Sequence, residues 1–192
     1  MKSVILALLV LTCVGCGAGR ASSPAEAHAR LAAAVAARDS SKLWNALDQD
    51  THWSWMTAAR AWRECYDITQ SAVPEGPERV RLLARFEPGA TSENAQTLFA
   101  KMLASEDWTT TQALLTAAGS QQPALAPSGE TAEILTAAGT LRFHTAHNRY
   151  WGWGYSGLAA RAEQLGRTAG ADLERMRTDA ADYERAAARG AR

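Results

Sequence analysis

Two polar segments contain residue types that bind metal ions or transfer protons. Asp48, Asp50 and His52 fall within five residues, and two carboxylates with an imidazole could form half of a metal site. The favoured interpretation is a helix start, because no second ligand cluster appears and Asp accepts hydrogen bonds from backbone N–H groups. His144 and His147 form the only close histidine pair. On a strand, their odd spacing places them on opposite faces, so we predict no metal site and no cofactor.

Neither the setting of Cys65 nor the sequence motifs favour catalysis. Cys65 lies in a segment with aromatic residues at helical spacing, which is typical of a small packed residue. The Gly-x-Ser-x-Gly motif and the P-loop do not occur. Ser, His and Asp residues are scattered along the chain, so a catalytic triad assembled by the fold stays an alternative. We assign no catalytic residue and expect a protein that is not an enzyme.

The most conspicuous aromatic group is Trp151, Trp153 and Tyr155, which alternate with glycines. On a strand the three rings share one face. A glycine-backed aromatic strand can stack sugars or apolar ligands, so the three residues are candidate ligand contacts. Packing in the core is the alternative, because aromatic side chains bury the largest apolar area.

The first residues have the three parts of a secretory signal. A basic start with Lys2 is followed by an apolar run over residues 4–11 and then by small residues. The run is shorter than the ~20 residues that span a bilayer. Val14, Gly15 and Cys16 resemble the lipobox of bacterial lipoproteins, although Cys13 stands where Leu is usual. The resemblance implies that Cys16 carries a lipid anchor.

This resemblance sets the expected organisation of the chain. Residues 1–15 would be the signal peptide, residues 16–23 a lipid tether and residues 24–192 a single α+β domain. Gly17 is not Asp, which by the lipoprotein rule implies the outer membrane of the bacterial envelope, facing the periplasm. The alternative is an ordinary secreted protein cleaved near Ala18 or Ala21. With Cys16 acylated, Cys65 has no internal disulfide partner.

The charge balance argues against a nucleic-acid partner. The chain has 20 Lys and Arg against 20 Asp and Glu, whereas proteins that bind nucleic acids present a strongly basic surface. The expected partners are therefore the membrane, reached through the anchor, and other proteins.

Residues with helical spacing, separated by Pro, Gly and Asp, predict six helices before residue 119. Aromatic residues dominate the third helix, from Trp55 to Val73, and a break at Glu87, Pro88 and Gly89 ends the fourth. The polar, proline-bearing stretch over residues 119–129 is expected to be a surface loop. The predicted helices cover residues 24–38, 40–47, 49–73, 77–86, 95–103 and 107–118.

The remainder of the chain predicts a small sheet and one long helix. Alternation over residues 130–155 predicts a three-stranded antiparallel meander, in which a three-residue connection would pair Phe143 with Trp153 and Leu141 with Tyr155. An apolar stripe over residues 157–188 predicts a helix roughly 48 Å long. Because that exceeds the width of the domain, we expect its end, with Tyr183, to project and to bind a protein partner or a second copy.

Part of the chain resembles the nuclear transport factor 2-like lipoproteins. Residues 31–39 with residues 43–47 are similar to their first two helices, and residues 139–143 with residues 149–151 to their paired strands ending in Trp. The resemblance implies a cone of curved sheet against helices and, with it, a small-molecule binder or enzyme using an aromatic pocket. Our leading interpretation is a mostly helical α+β protein with a non-catalytic binding or scaffolding role.

Overall fold

The computed structural model describes residues 20–145, 150–154 and 157–190. These residues form seven α-helices and one antiparallel sheet of four strands. In chain order the elements are α1 Pro24–Ala36, α2 Ser40–Ala46, α3 Gln49–Ala72, α4 Pro77–Ala90, α5 Ala95–Met102, α6 Ser105–Ala118, β1 Ala124–Leu125, β2 Thr131–Thr136, β3 Gly139–Thr145, β4 Trp151–Gly154 and α7 Gly157–Gly190. The mostly helical α+β class and the long C-terminal helix are confirmed.

The helix starts follow the capping residues in the sequence. Ser23 accepts a hydrogen bond from the backbone N–H of Glu26, and Pro24 occupies the first turn of α1. Asp39, Asp48 and Asn94 cap α2, α3 and α5 in the same way. The six predicted helices before residue 119 are therefore confirmed, with small differences at their ends.

One predicted helix end is wrong. The sequence predicts a break at Glu87, Pro88 and Gly89, but α4 continues to Ala90. Pro88 lies in the last turn, where its missing N–H removes only one helical hydrogen bond. A Cβ on Gly89 would lie closer than 3.0 Å to the Cβ of Trp62 on α3. The glycine therefore serves the close approach of two helices and not a turn.

The sheet has four strands, where the sequence predicts three. β1 lies within residues 119–129, which were expected to form only a surface loop, and pairs Ala124 with Glu133 and Leu125 with Ala132 of β2. Gly129, at φ +74°, helps the chain reverse between the two strands. A two-residue strand is too short to produce a detectable alternation, which is why the sequence did not reveal it.

The register of the meander is confirmed where the strands are described. β2, β3 and β4 pair in order, and Phe143 lies opposite Trp153. The expected pair of Leu141 and Tyr155 cannot be compared, because Tyr155 lies outside the described residues. Leu141, Phe143 and Trp153 are all buried. One face of the sheet is thus apolar and packs against α1 and α6.

The second half of the core is a group of three helices. α3 packs most extensively on α7 and also on α4. Gly166 lies against Ser54, and Arg177 forms a 2.5 Å ion pair with Glu64, so α7 runs along α3 in the same direction. Buried residues of both halves belong to one continuous core.

Candidate functional site

A polar cluster lies where the start of α3 meets the sheet. We define it by its five members, Asp48, Asp50, His52, His144 and Tyr150. The first three come from the beginning of α3, His144 comes from β3 and Tyr150 directly precedes β4. The cluster joins titratable side chains from segments about a hundred residues apart in the chain.

Asp48 is the most buried member, with 4% of its surface exposed. Its Oδ1 accepts a hydrogen bond from the N–H of Thr51 at 2.9 Å, and its own N–H donates to the carbonyl oxygen of Trp153 at 3.1 Å. Asp48 therefore links the start of α3 to strand β4 of the sheet. Burial raises the pKa of the Asp48 carboxyl, because water is excluded from the charged form.

His144 brings an imidazole to the two aspartates. Its Nδ1 lies 3.9 Å from Oδ2 of Asp48 and 3.8 Å from Oδ2 of Asp50. These are ion-pair distances and are longer than hydrogen bonds. The His144 ring thus lies between two carboxylates that come from the start of α3.

His52 and Tyr150 form a second pair beside the first. The carbonyl oxygen of Trp44 lies 2.8 Å from Nε2 of His52 and can only accept, so Nε2 carries the proton. Nδ1 of neutral His52 then accepts from the Tyr150 hydroxyl at 3.3 Å. Burial lowers the pKa of His52 and raises that of Tyr150, so both side chains are held in their neutral forms.

The glycines of β4 explain how this arrangement fits. A Cβ on Gly152 would lie closer than 3.0 Å to the backbone of Asp48, and one on Gly154 closer than 3.0 Å to the Asp48 carboxylate. With Gly157 these residues read as Gly-x-Gly-x-x-Gly. The pattern binds phosphates only in a loop between a parallel strand and a helix. Here the first two glycines lie inside an antiparallel strand and make room for Asp48.

Residues 48–52 therefore act mainly as a helix start. Asp48 caps α3, as the interpretation favoured from the sequence has it. From the sequence, His144 pairs only with His147, which lies outside the described residues, so the approach of His144 to Asp48 is not predicted. Gly152, which pairs with His144, was the available signal, because glycine in a strand marks a close backbone approach. Within the described ranges, no group of three or more His, Cys, Asp and Glu could hold a metal ion.

The aromatic strand lies largely inside the protein. Trp153 is 1% exposed and belongs to the core, and its indole N–H has no hydrogen-bond partner among the described residues. Trp151 is half-buried, and its backbone N–H donates to the carbonyl oxygen of Ala21 at 2.9 Å. Tyr155 lies outside the described residues. Packing in the core thus accounts for Trp153, whereas Trp151 retains an accessible edge.

A groove of about 660 Å³ runs along the outer face of α3. Trp53 and Met56 line it and are 56% and 55% exposed. Arg60 and Arg63 follow on the same face, and Arg63 donates to the carbonyl oxygens of Ser92 and Glu93 beside α5. This face was not predicted from the sequence, although an aromatic residue and a methionine outside the apolar stripe of α3 could have indicated it.

The C-terminal end of α7 is exposed. Along its stripe Leu158, Ala162, Ala169 and Met176 are buried, whereas Tyr183 is 43% exposed. Residues 181–186 are all exposed. The candidate contact Tyr183 is therefore available to a partner.

The remaining candidate residues are the cysteines. Cys16 lies outside the described residues, as does Cys13. Cys65 is buried, as predicted, and burial together with the nearby Asp172 raises the pKa of its thiol to about 11. Such a thiol is a poor nucleophile at neutral pH.

None of the helices in the described residues combines the length and the apolar character needed to cross a bilayer.

In comparisons with known proteins, the chain matches no family model, no curated protein and no solved structure.

Proposed function

We propose that this chain is a lipid-anchored protein of the bacterial cell envelope, acylated at Cys16, with a non-catalytic binding or scaffolding role. In this proposal the anchor places the protein on the outer membrane, facing the periplasm. The exposed end of α7 then binds a protein partner or a second copy. The observation that carries the binding role is the exposure of Tyr183 on a stripe that is buried further up the same helix.

The geometry of α7 supports this role. With 34 residues, the helix is roughly 50 Å long at 1.5 Å per residue. Its buried positions end near Met176, and residues 181–186 are exposed. A helix with an exposed tyrosine on its former core stripe suits helix-to-helix binding, because aromatic residues are enriched at protein interfaces.

Fractionation tests the anchor. The Cys16→Ala variant should move from the membrane to the soluble periplasmic fraction, because the lipid is the strong membrane attachment in this proposal. Mass spectrometry should find an acylated residue 16 in the unaltered protein. A variant that still sediments with membranes, or an unmodified mature terminus at another residue, would show that the lipoprotein interpretation is wrong.

Association measurements test the α7 end. Sedimentation of the purified Cys16→Ala protein reports self-association, and co-purification after crosslinking in cells reports a defined partner. Tyr183→Asp should abolish whichever complex forms, while the melting temperature stays unchanged. An exposed apolar residue on another element, Leu135 of β2, provides the matched control Leu135→Asp. Equal loss in both variants would contradict a specific role for α7.

A small-molecule binder or enzyme of the nuclear transport factor 2-like kind is the second candidate. The buried Asp48 carboxylate beside His144 favours it, since a shielded acid and a neighbouring base can orient or deprotonate a ligand. The groove along α3 and a second groove between α1 and α6 are not lined by Trp151 or Trp153. A ligand that raises the melting temperature of the unaltered protein and of His28→Ala, but not of His144→Ala, would support this candidate.

A further inference from the structure

We propose that the outer face of α3 around Trp53 and Met56 rests on the bilayer surface when the protein is anchored. This inference depends on the proposed acylation of Cys16. It adds a second, protein-made membrane contact and fixes which side of the fold faces the lipid.

The described chain begins beside the start of α3. The guanidinium of Arg20 lies 4.3 Å above the ring of Tyr150, and the Tyr150 hydroxyl contacts His52. Ala21 is buried and bridges to Trp151. The last residues of the predicted tether are therefore attached to the fold, and Trp53 is the residue that follows His52 on α3.

The length of the tether limits how far the lipid can be from this point. Four residue steps separate Cys16 from Arg20, and an extended chain covers at most about 14 Å in four steps. The acyl chains on Cys16 would thus enter the bilayer close to the beginning of α3. A neighbouring exposed face meets the headgroups without further chain extension.

The outer face of α3 has the composition of a membrane-contacting surface. Trp is enriched at the boundary between headgroups and acyl chains, and Trp53 and Met56 are the only large apolar side chains of α3 that are exposed. Arg60 lies one turn beyond Met56 and can extend its guanidinium to lipid phosphates. Asp50 is also near, but it faces His144 at 3.8 Å.

The acidic groups of the groove lie further from the start of the helix. Glu64 is paired with Arg177, Asp67 follows nearly one turn later, and Glu93 lines the groove beside Arg63. Along α3 the face therefore changes from apolar to basic to acidic with distance from the tether. That order suits a bilayer at the tether end, where anionic lipids attract arginine and repel carboxylates.

A bilayer explains this face better than a second copy does. Stable protein interfaces bury about 800 Å² on each partner, far more than two half-exposed side chains supply. The lipid anchor, however, would hold this small patch close to the bilayer. Its effective concentration at the membrane is then high, so a weak contact is sufficient. Because α7 runs in the same direction as α3, its exposed end lies at the far end of the fold from the tether.

Fluorescence quenching by lipid tests the contact. The acylated full chain is reconstituted into vesicles of phosphatidylethanolamine and phosphatidylglycerol with brominated acyl chains, which quench tryptophan only on contact. All seven tryptophans lie in the described part of the chain, and Trp53 is the only exposed one among them. We expect quenching in the unaltered protein, loss of most of it in Trp53→Phe and no loss in the control Trp108→Phe, which alters a half-buried residue in the groove between α1 and α6.

Flotation and mass spectrometry of the same samples separate the failures. If the acylated protein floats with the vesicles and Trp53 is not quenched, the bilayer contact is wrong while the proposed anchor stands. If residue 16 is unmodified and the protein does not float, both proposals are overturned. Quenching that is insensitive to Trp53→Phe, or a dimer that Trp53→Phe dissociates, would also overturn the bilayer contact.

Discussion

The carboxylate of Asp48 occupies the space into which a side chain at Gly154 would project. A Cβ on Gly154 would lie closer than 3.0 Å to Oδ2 of Asp48. The helix cap of α3 and the alternating glycines of β4 are thus two parts of one fit. That fit places the buried acid next to His144, and it makes the stability of the sheet depend on a residue of the helical half.

Gly154→Ala should lower the free energy of unfolding by about 1–3 kcal/mol, as overpacking in a tight site does. Asp48→Ala in the same chain should recover part of that loss, because the clash is with the side chain. It should not rescue Gly152→Ala, whose Cβ meets the backbone of Asp48. Chemical denaturation measures the free energy of unfolding of Gly154→Ala and Gly152→Ala, each alone and combined with Asp48→Ala.

Gly170 of α7 provides the control for this series. A Cβ there has no neighbour within 4 Å, so Gly170→Ala should raise the stability by roughly 0.5–1 kcal/mol. If Gly154→Ala behaves like Gly170→Ala, the close contact between Asp48 and β4 does not exist.

Asp48→Asn should stabilise the protein increasingly as the pH rises. The pKa of Asp48 is raised by burial, so its contribution is fully present below the ordinary value of 3.8 and is lost as the pH rises through the raised value. Asn keeps an oxygen for the cap without the charge. Asp48→Ala should instead cost about 0.5–2 kcal/mol through the lost cap. A stability difference between Asn and Asp that does not change with pH would contradict the buried ionisation.

The imidazole of His52 should titrate below its ordinary pKa of 6.5, because burial lowers that pKa. The neutral form stabilises the fold, so this contribution is present above pH 6.5 and is lost as the pH falls through the lowered value. NMR titration gives the midpoint directly. His52→Leu should flatten the acid side of the stability profile but not abolish its slope, since burial also lowers the pKa of His28.

Met176 and Tyr183 are seven residues apart on one stripe of α7 and should respond differently to the same change. Met176 is buried, so Met176→Asp leaves an unpaired buried charge and should cost about 3–5 kcal/mol. Tyr183→Asp should change the stability by no more than about 0.5 kcal/mol. Thermal unfolding of the monomer decides, and equal destabilisation would mean that the end of α7 packs inside the fold.

The helices were predictable because local signals determine them. Ser23 and Asp39 cap helices where the sequence places them, and the spacing from Leu158 to Met176 matches the buried face of α7. The pairing of Phe143 with Trp153 followed from apolar alternation alone. Such features depend on residues close in sequence.

The missed features depend on residues far apart. Nothing near His144 indicates that residue 48 will lie beside it, and β1 becomes a strand only because β2 offers a partner. Gly89 appeared to be a helix breaker because its contact, Trp62, lies on another helix. Tertiary packing, not local preference, decides each of these cases.

The pairing of α3 with α7 also determines the order in which this chain can fold. α7 lies about a hundred residues after α3, yet it covers α3 more extensively than any other element does. Contacts between such distant segments form late, because closing the intervening loop costs entropy before it is rewarded. As the chain emerges from the ribosome or a translocation channel, the apolar side of α3 stays uncovered until nearly its whole length is available. A nascent form lacking α7 would be prone to aggregate and would need a chaperone to shield that surface.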